Sequence, residues 1–122
     1  MDLSRDPSVI ASAAAEEVRA LNHRTGNPAA YQNPSDISDV VNALATLAER
    51  LPQTLQQASA GLRRFEEDQA IRMDDGSDPS EEVTRALGAL LNAEESLTIV
   101  CAFLKEAASP LSHMGGHFAD LP

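Results

Sequence analysis

Carboxylates are the most concentrated chemical groups in this sequence: eight of its 19 acidic residues fall within Glu66–Glu82. Clustered carboxylates can bind Ca²⁺, and placing Gly76 at the sixth position of an EF-hand loop puts Glu82 at the twelfth. Ile71 and Met73 then occupy the first and third positions, where oxygen ligands are required, so the calcium hypothesis fails. We predict instead a solvated turn, or a docking surface for a basic partner. This acidic tip comprises Glu66, Glu67, Asp74, Asp75, Asp78, Glu81 and Glu82.

The cysteine and two of the histidines are the other candidates for chemistry. Cys101 lies on an apolar stripe with no histidine predicted nearby, so we predict a buried core thiol rather than a nucleophile. His113 and His117 have the spacing of a helical zinc pair, but Gly115 and Gly116 between them disfavour a helix, and no third ligand is evident. The sequence has no phosphate-binding glycine loop and no serine–histidine–aspartate set that we can assemble. We therefore predict a protein that is not an enzyme and holds no cofactor or metal.

Glu94 is a polar residue at a position where the helical pattern otherwise has apolar or small residues. A buried carboxylate is costly unless it is paired, and Arg63 is the best intrachain candidate for its partner. Carboxylate-bridged metal bundles need repeated Glu-x-x-His elements on facing helices, which this sequence lacks. We predict that Glu94, together with Arg63 and Arg64, sets the specificity of an association.

Composition narrows the function further. A chain of 122 residues, 43% apolar, suits one domain, and its 3% aromatic content leaves the core to Leu, Ala, Val and Ile. The net charge of −10 argues against direct nucleic-acid binding, which needs clustered Lys and Arg. One cysteine excludes an internal disulfide. We find no signal-like start and no apolar stretch approaching about 20 residues, so we expect a cytoplasmic protein without membrane contact.

The periodicity of apolar residues predicts an all-α fold in a single domain of residues 1–110. The predicted helices cover about residues 8–23, 35–72 and 79–109. Asp78 and Pro79 combine a helix cap with a first-turn proline, and Pro52 is expected to kink the second helix without breaking it. Residues 111–122 are predicted to form a flexible tail.

The two long helices carry apolar residues at alternating intervals of three and four, the period of a coiled-coil or bundle seam. A turn near Gly76 makes the helices antiparallel neighbours, with Leu97 near Leu55 and Cys101 near Leu51. Two helices cannot enclose stripes this wide, so the hairpin is predicted to dimerise into a four-helix-type bundle. The predicted interaction seam consists of Ile37, Val41, Leu44, Leu51, Leu55, Leu62, Phe65, Leu87, Leu90, Leu97 and Leu104.

These patterns predict a helical interaction or adaptor protein that acts through the Leu/Ala seam and the acidic tip. Its expected partner is a second copy or another helical protein. An acidic DNA mimic that inhibits a nucleic-acid-binding protein is an alternative, and its binding should weaken steeply with salt. A small-ligand sensor that uses the space near Pro52 is a further alternative.

Two resemblances bear on fold and source. Residues 19–23 (RALNH), 31–34 (YQNP) and 44–53 (LATLAERLPQ) resemble small uncharacterised helical proteins of actinobacteria, over about the first half of the chain. That resemblance implies a helical fold and no defined activity. More distantly, the hairpin resembles helical secretion substrates that bear a Trp-x-Gly turn, which implies a secreted protein as a third alternative. This chain has no Trp, its turn reads Asp-Asp-Gly, and its tail lacks the Tyr-x-x-x-Asp/Glu signal.

Overall fold

The computed structural model describes residues 1–117. Its elements are helix α1 (Pro7–Thr25), a 3-10 turn (Pro28–Ala30), helix α2 (Pro34–Glu67) and helix α3 (Ser80–Leu111). No strand occurs in the described part of the chain. The predicted all-α class is therefore confirmed. Of the predicted tail, residues 112–117 are not helical, and residues 118–122 lie outside the described residues.

Helix α2 begins at a cap formed by its own acidic residue. Asn33 is the N-cap and Pro34 the first helical residue. The Asp36 carboxylate accepts hydrogen bonds from the backbone N–H groups of Gln32 at 2.9 Å and Asn33 at 3.0 Å. This places a negative charge at the positive end of the helix dipole and satisfies amides that have no partner in the helix. The helix then continues unbroken through Pro52.

Helix α2 ends at Glu67, whereas the apolar pattern extends it to residue 72. Gln69 adopts a left-handed conformation with φ of 53°. The Ala70 N–H then donates to the Phe65 carbonyl at 2.9 Å, which closes the last turn. Because glycine usually occupies this conformation, a glutamine there gives no warning in the sequence that the helix stops.

Helices α2 and α3 pack side by side and run antiparallel. At the tip, Glu66 of α2 and Ser80 of α3 line one cavity. Further along, the Cys101 thiol lies 3.6 Å from the Ala45 carbonyl oxygen, to which it donates. The turn around Gly76, whose φ of 76° suits glycine, therefore connects the two helices as a long hairpin.

Helix α1 stands apart from the hairpin, although its narrow apolar face predicts close packing against a larger element. Within the described residues, its close backbone contacts are made only with the Pro28–Ala30 turn. Only Leu21 and Thr25 of α1 are even half-buried. Its first turns face the middle of α2 across an open groove, with Ile10 and Leu47 on opposite walls.

Helix α3 is long and apolar enough, by length and composition alone, to cross a membrane, with a mean hydropathy of 1.4 over 18 residues. The sequence predicts no apolar stretch of that length, because Glu94 and Glu95 interrupt the run. The mean hydropathy over 18 residues nevertheless stays high despite these two charges. Little of that window is buried against the rest of the described chain. The finding is weak evidence for a membrane span, and it identifies α3 as a helix with much uncovered apolar surface.

Candidate functional site

The inner face of α3 follows the predicted three-and-four alternation. Val83 and Cys101 are buried, with exposures of 4% and 8%. The predicted seam residues of this helix are half-buried between and beside them: Leu87, Leu90, Leu97 and Leu104. This face packs against α2.

On α2, the residues that face α3 differ in part from the predicted seam. Its most buried residues are small: Ser38, Ala45, Ala48 and Ser59. The half-buried seam residues of this helix are Val41, Leu44, Leu51, Leu55 and Leu62. Ile37 and Phe65, by contrast, are 38% and 58% exposed and lie outside the inner face. Small side chains let α3 approach closely at the centre of the contact, and bulkier residues are displaced to its flanks.

Cys101 meets the small-residue centre of α2. Its thiol is buried and contacts the backbone at Ala45, which lies six residues before the predicted neighbour Leu51 on α2. Ala48, Pro52 and Cys101 also line a cleft between the helices that is open to solvent and has a volume of about 300 Å³. Across this region the Lys105 ammonium lies 3.2 Å from a Glu49 carboxylate oxygen, an exposed pair that contributes little to stability.

Ser59 is buried at 4% exposure, and its hydroxyl oxygen has no hydrogen-bond partner among the described residues. We expect Ser59→Ala to raise the free energy of unfolding by about 1 kcal/mol, because it removes an unpaired buried hydroxyl and adds helix propensity. Chemical denaturation measures this. Ser38→Ala is the matched control, since the Ser38 hydroxyl accepts from the Asn42 amide at 3.5 Å. Equal effects of the two changes would contradict the prediction.

The three predicted specificity residues do not come together. Glu94 is half-buried on the inner face of α3, while Arg63 and Arg64 are exposed on α2. Arg64 lies 3.9 Å from Asp68. Within residues 1–117, neither Glu94 nor Arg63 forms an ion pair within 4.0 Å, so the predicted Glu94–Arg63 pair is not formed there.

The acidic tip spreads over three elements. Glu66 and Glu67 end α2, Asp74, Asp75 and Asp78 lie in the connection, and Glu81 and Glu82 begin α3. All are exposed except the half-buried Glu66. Glu82 pairs with Arg85 at 3.1 Å, and the connection is ordered by its own aspartates. In the part of the chain that is described, no group of three His, Cys, Asp or Glu side chains could hold a metal ion.

Two aspartates order the tip through short-range hydrogen bonds. One Asp75 carboxylate oxygen accepts from the Ser77 hydroxyl at 2.6 Å and its N–H at 3.0 Å. Asp78 accepts from the Ser80 N–H at 3.1 Å and its hydroxyl at 2.9 Å, just before the first turn of α3. These donors favour the ionised carboxylates and lower the pKa of both Asp75 and Asp78 below the usual 3.8.

We expect the tip to keep its structure down to pH 3.8 and to loosen only below it. A carboxyl group whose pKa is lowered by folding contributes stability above its unfolded pKa, and loses that contribution as pH falls through the folded value. The amide NMR signals of Ser77 and Ser80 should therefore move only in the acid range. A transition centred above pH 3.8 would contradict this assignment.

An exposed apolar patch lies on the second half of α3, and the sequence-based seam omits it. Ile99, Val100 and Phe103 are 58%, 46% and 65% exposed. The signal was present in the sequence, because seven of the eight residues in Leu97–Leu104 are apolar. Such a run covers every side of a helix, whereas one neighbouring helix covers one side. The remainder of the run is left without a cover.

The solvent-accessible surface of the molecule is 9557 Å². A compact monomer of 13.0 kDa would expose about 6,300 Å². Among the described residues, no large side chain is fully buried. The hairpin therefore has a thin core and a large surface.

Comparison with known proteins adds no relative, because no family model, curated protein or solved structure matches this chain.

Proposed function

We propose that this protein is a non-enzymatic helical interaction protein that associates with a second copy of itself as a dimer of hairpins. The observation that carries the proposal is the apolar patch of Ile99, Val100 and Phe103 on α3. Exposed apolar patches that are contiguous and rimmed by polar residues are typical of protein interfaces. A second hairpin laid on this patch would extend the two-helix core to a four-helix bundle.

The surplus surface fits such a dimer. The molecule exposes roughly 3,200 Å² more than a compact chain of its mass. Permanent homodimers bury about 2,000–5,000 Å² in total, or about half of that per partner. Part of this surplus lies on α1, which stands apart from the hairpin, and part lies on the outer face of α3, where such an interface would form.

Charge supports contact through α3 rather than through the tip. A chain of net charge −10 repels its own copy, and the tip concentrates that charge. The patch itself is uncharged and begins 17 residues after Glu82, about 25 Å along α3, so a contact there need not bring the two acidic tips together. In this proposal Glu94, Arg63, Arg64 and the acidic tip restrict which helical partners are accepted.

The patch can be tested by Phe103→Glu. We expect this change to weaken self-association by at least about tenfold, since it places a charge in an apolar contact, while far-UV circular dichroism stays helical. Sedimentation velocity across micromolar concentrations measures the dissociation constant. Thr84→Glu, which adds the same charge at another exposed site of α3, is the matched control. A wild-type protein that remains monomeric throughout would refute the proposal.

A DNA mimic is the second candidate, favoured by the exposed carboxylates of Asp74, Asp75, Asp78 and Glu81. It receives less support, because eight of the 19 acidic residues gather at one end of the hairpin. Its complex with a basic protein should dissociate steeply as salt rises, whereas an apolar dimer should not.

The proposal includes a cytoplasmic location without membrane contact. The alternative is that the chain is secreted as a helical hairpin.

A further inference from the structure

We propose that the groove between α1 and α2 binds a single-chain anionic amphiphile of the fatty-acid class. The groove is open to solvent and has a volume of about 580 Å³. Its opposing walls combine aliphatic side chains with two arginines: Ile10, Ala14, Leu47, Leu51, Arg5 and Arg50. This groove is distinct from the α3 patch, so the inference does not depend on the proposed dimer.

The dimensions suit one alkyl chain. Ligand sites typically have volumes of about 300–1,000 Å³ and apolar walls with a few polar groups that fix orientation. The α2 wall extends from Leu47 to Thr54, a length of about 10 Å at the helical rise. The chains of a bilayer lipid each extend about 15 Å, half of the hydrocarbon core, so a groove this short fits a shorter single chain better. Its concave form between two helices also differs from the broad apolar face that lies on a membrane.

The charge of the groove opposes that of the whole chain. The protein has 19 acidic and nine basic residues, yet the described residues that line the groove include two arginines and no acid. Within the described range neither Arg5 nor Arg50 forms an ion pair within 4.0 Å. Among residues 1–117, Arg5 donates only to the Asp2 backbone carbonyl, at 3.4 Å. Two guanidinium groups beside an apolar channel match an anionic head on an alkyl chain, because guanidinium pairs with carboxylate in a bidentate manner.

The position of α1 gives the ligand a structural effect. The helix lies beyond close packing distance of α2, and its apolar face is exposed, with Ile10 at 37%. An alkyl chain between Ile10 and Leu47 would fill that gap and bury both walls. Binding is therefore expected to protect the backbone amides of α1 against hydrogen exchange.

Decanoate, used below its micellar concentration, tests the proposal by calorimetric titration of the full chain. We expect saturable binding of one decanoate per chain, and no binding of decyltrimethylammonium, which has the same chain length and the opposite charge. Equal binding of both ions would overturn the proposal. So would the absence of decanoate binding, or equally strong binding of anionic phosphatidylglycerol vesicles, which would assign the groove to a bilayer.

Variants separate the groove from general charge effects. Arg50→Gln should weaken decanoate binding by at least about tenfold, because it removes one of two head-group contacts. Arg24→Gln is the matched control, since Arg24 is exposed at the far end of α1 and lies outside the groove. Ala14→Phe should also weaken binding by filling the apolar end of the groove. A loss in Arg24→Gln as large as in Arg50→Gln, or unchanged binding in Ala14→Phe, would overturn the assignment. Sedimentation with and without decanoate reports on the dimer independently.

Discussion

Leu97→Ala is expected to lower the free energy of unfolding by about 2 kcal/mol. Leu97 is half-buried on the inner face of α3, where truncation removes apolar contact with α2 and leaves a gap between the helices. The half-burial places the effect at the low end for leucine truncation. Urea unfolding followed by circular dichroism, at one fixed protein concentration, measures the change.

Leu91→Ala provides the matched control for this prediction. Leu91 lies on the same helix, has the same side chain and is 53% exposed. Its truncation should cost less than about 0.5 kcal/mol, as is usual for surface positions. If Leu97→Ala cost no more than Leu91→Ala, the face of α3 that packs on α2 would be misassigned, and the hairpin seam with it.

Ala48→Leu is expected to destabilise the protein by about 1–3 kcal/mol, although leucine is the more hydrophobic residue. Ala48 is only 5% exposed, at the point where α2 and α3 approach through small side chains. A larger side chain there forces the helices apart or adopts a strained rotamer. The same denaturation experiment measures the loss.

Ala60→Leu is the control for overpacking. Ala60 is exposed on α2, so the same substitution should be close to neutral there. A stabilising Ala48→Leu would mean that the space between the helices is larger than the small-residue contact implies. The outcome therefore decides whether the added side chain is forced against α3 or turns into the solvent-open cleft lined by Ala48 and Pro52, about 300 Å³ in volume.

The periodicity of apolar residues predicts the inner face of α3 well and that of α2 only in part. On α3 the alternation contains one polar residue, Glu94, so the stripe and the packed face coincide. On α2 the inner face includes the buried Ser38 and Ser59. A pattern built from apolar residues passes over these serines and selects their neighbours, which include the exposed Ile37. Side-chain size decides which helical face packs closely, and hydrophobicity alone does not report it.

The periodicity of apolar residues does not predict how the helices are placed relative to one another. The sequence indicates a first helix with a narrow apolar face, but not that α1 leaves a groove against α2 with arginines on its walls. The predicted seam takes Leu97 and Leu104 from the apolar run Leu97–Leu104 and assigns its outer residues, such as Phe103, to no surface. Both features depend on distances between helices, which residue spacing within a single helix does not encode.

The single thiol of the chain is an intrinsic probe of local opening between α2 and α3. Cys101 is 8% exposed between α2 and α3 and donates to the Ala45 carbonyl, so a maleimide or disulfide reagent reacts with it faster when the two helices separate. The rate of its alkylation therefore reports how often the hairpin opens, without any engineered label. Any ligand or partner that clamps the helices together would slow that reaction, and its binding could be followed through this sulfur.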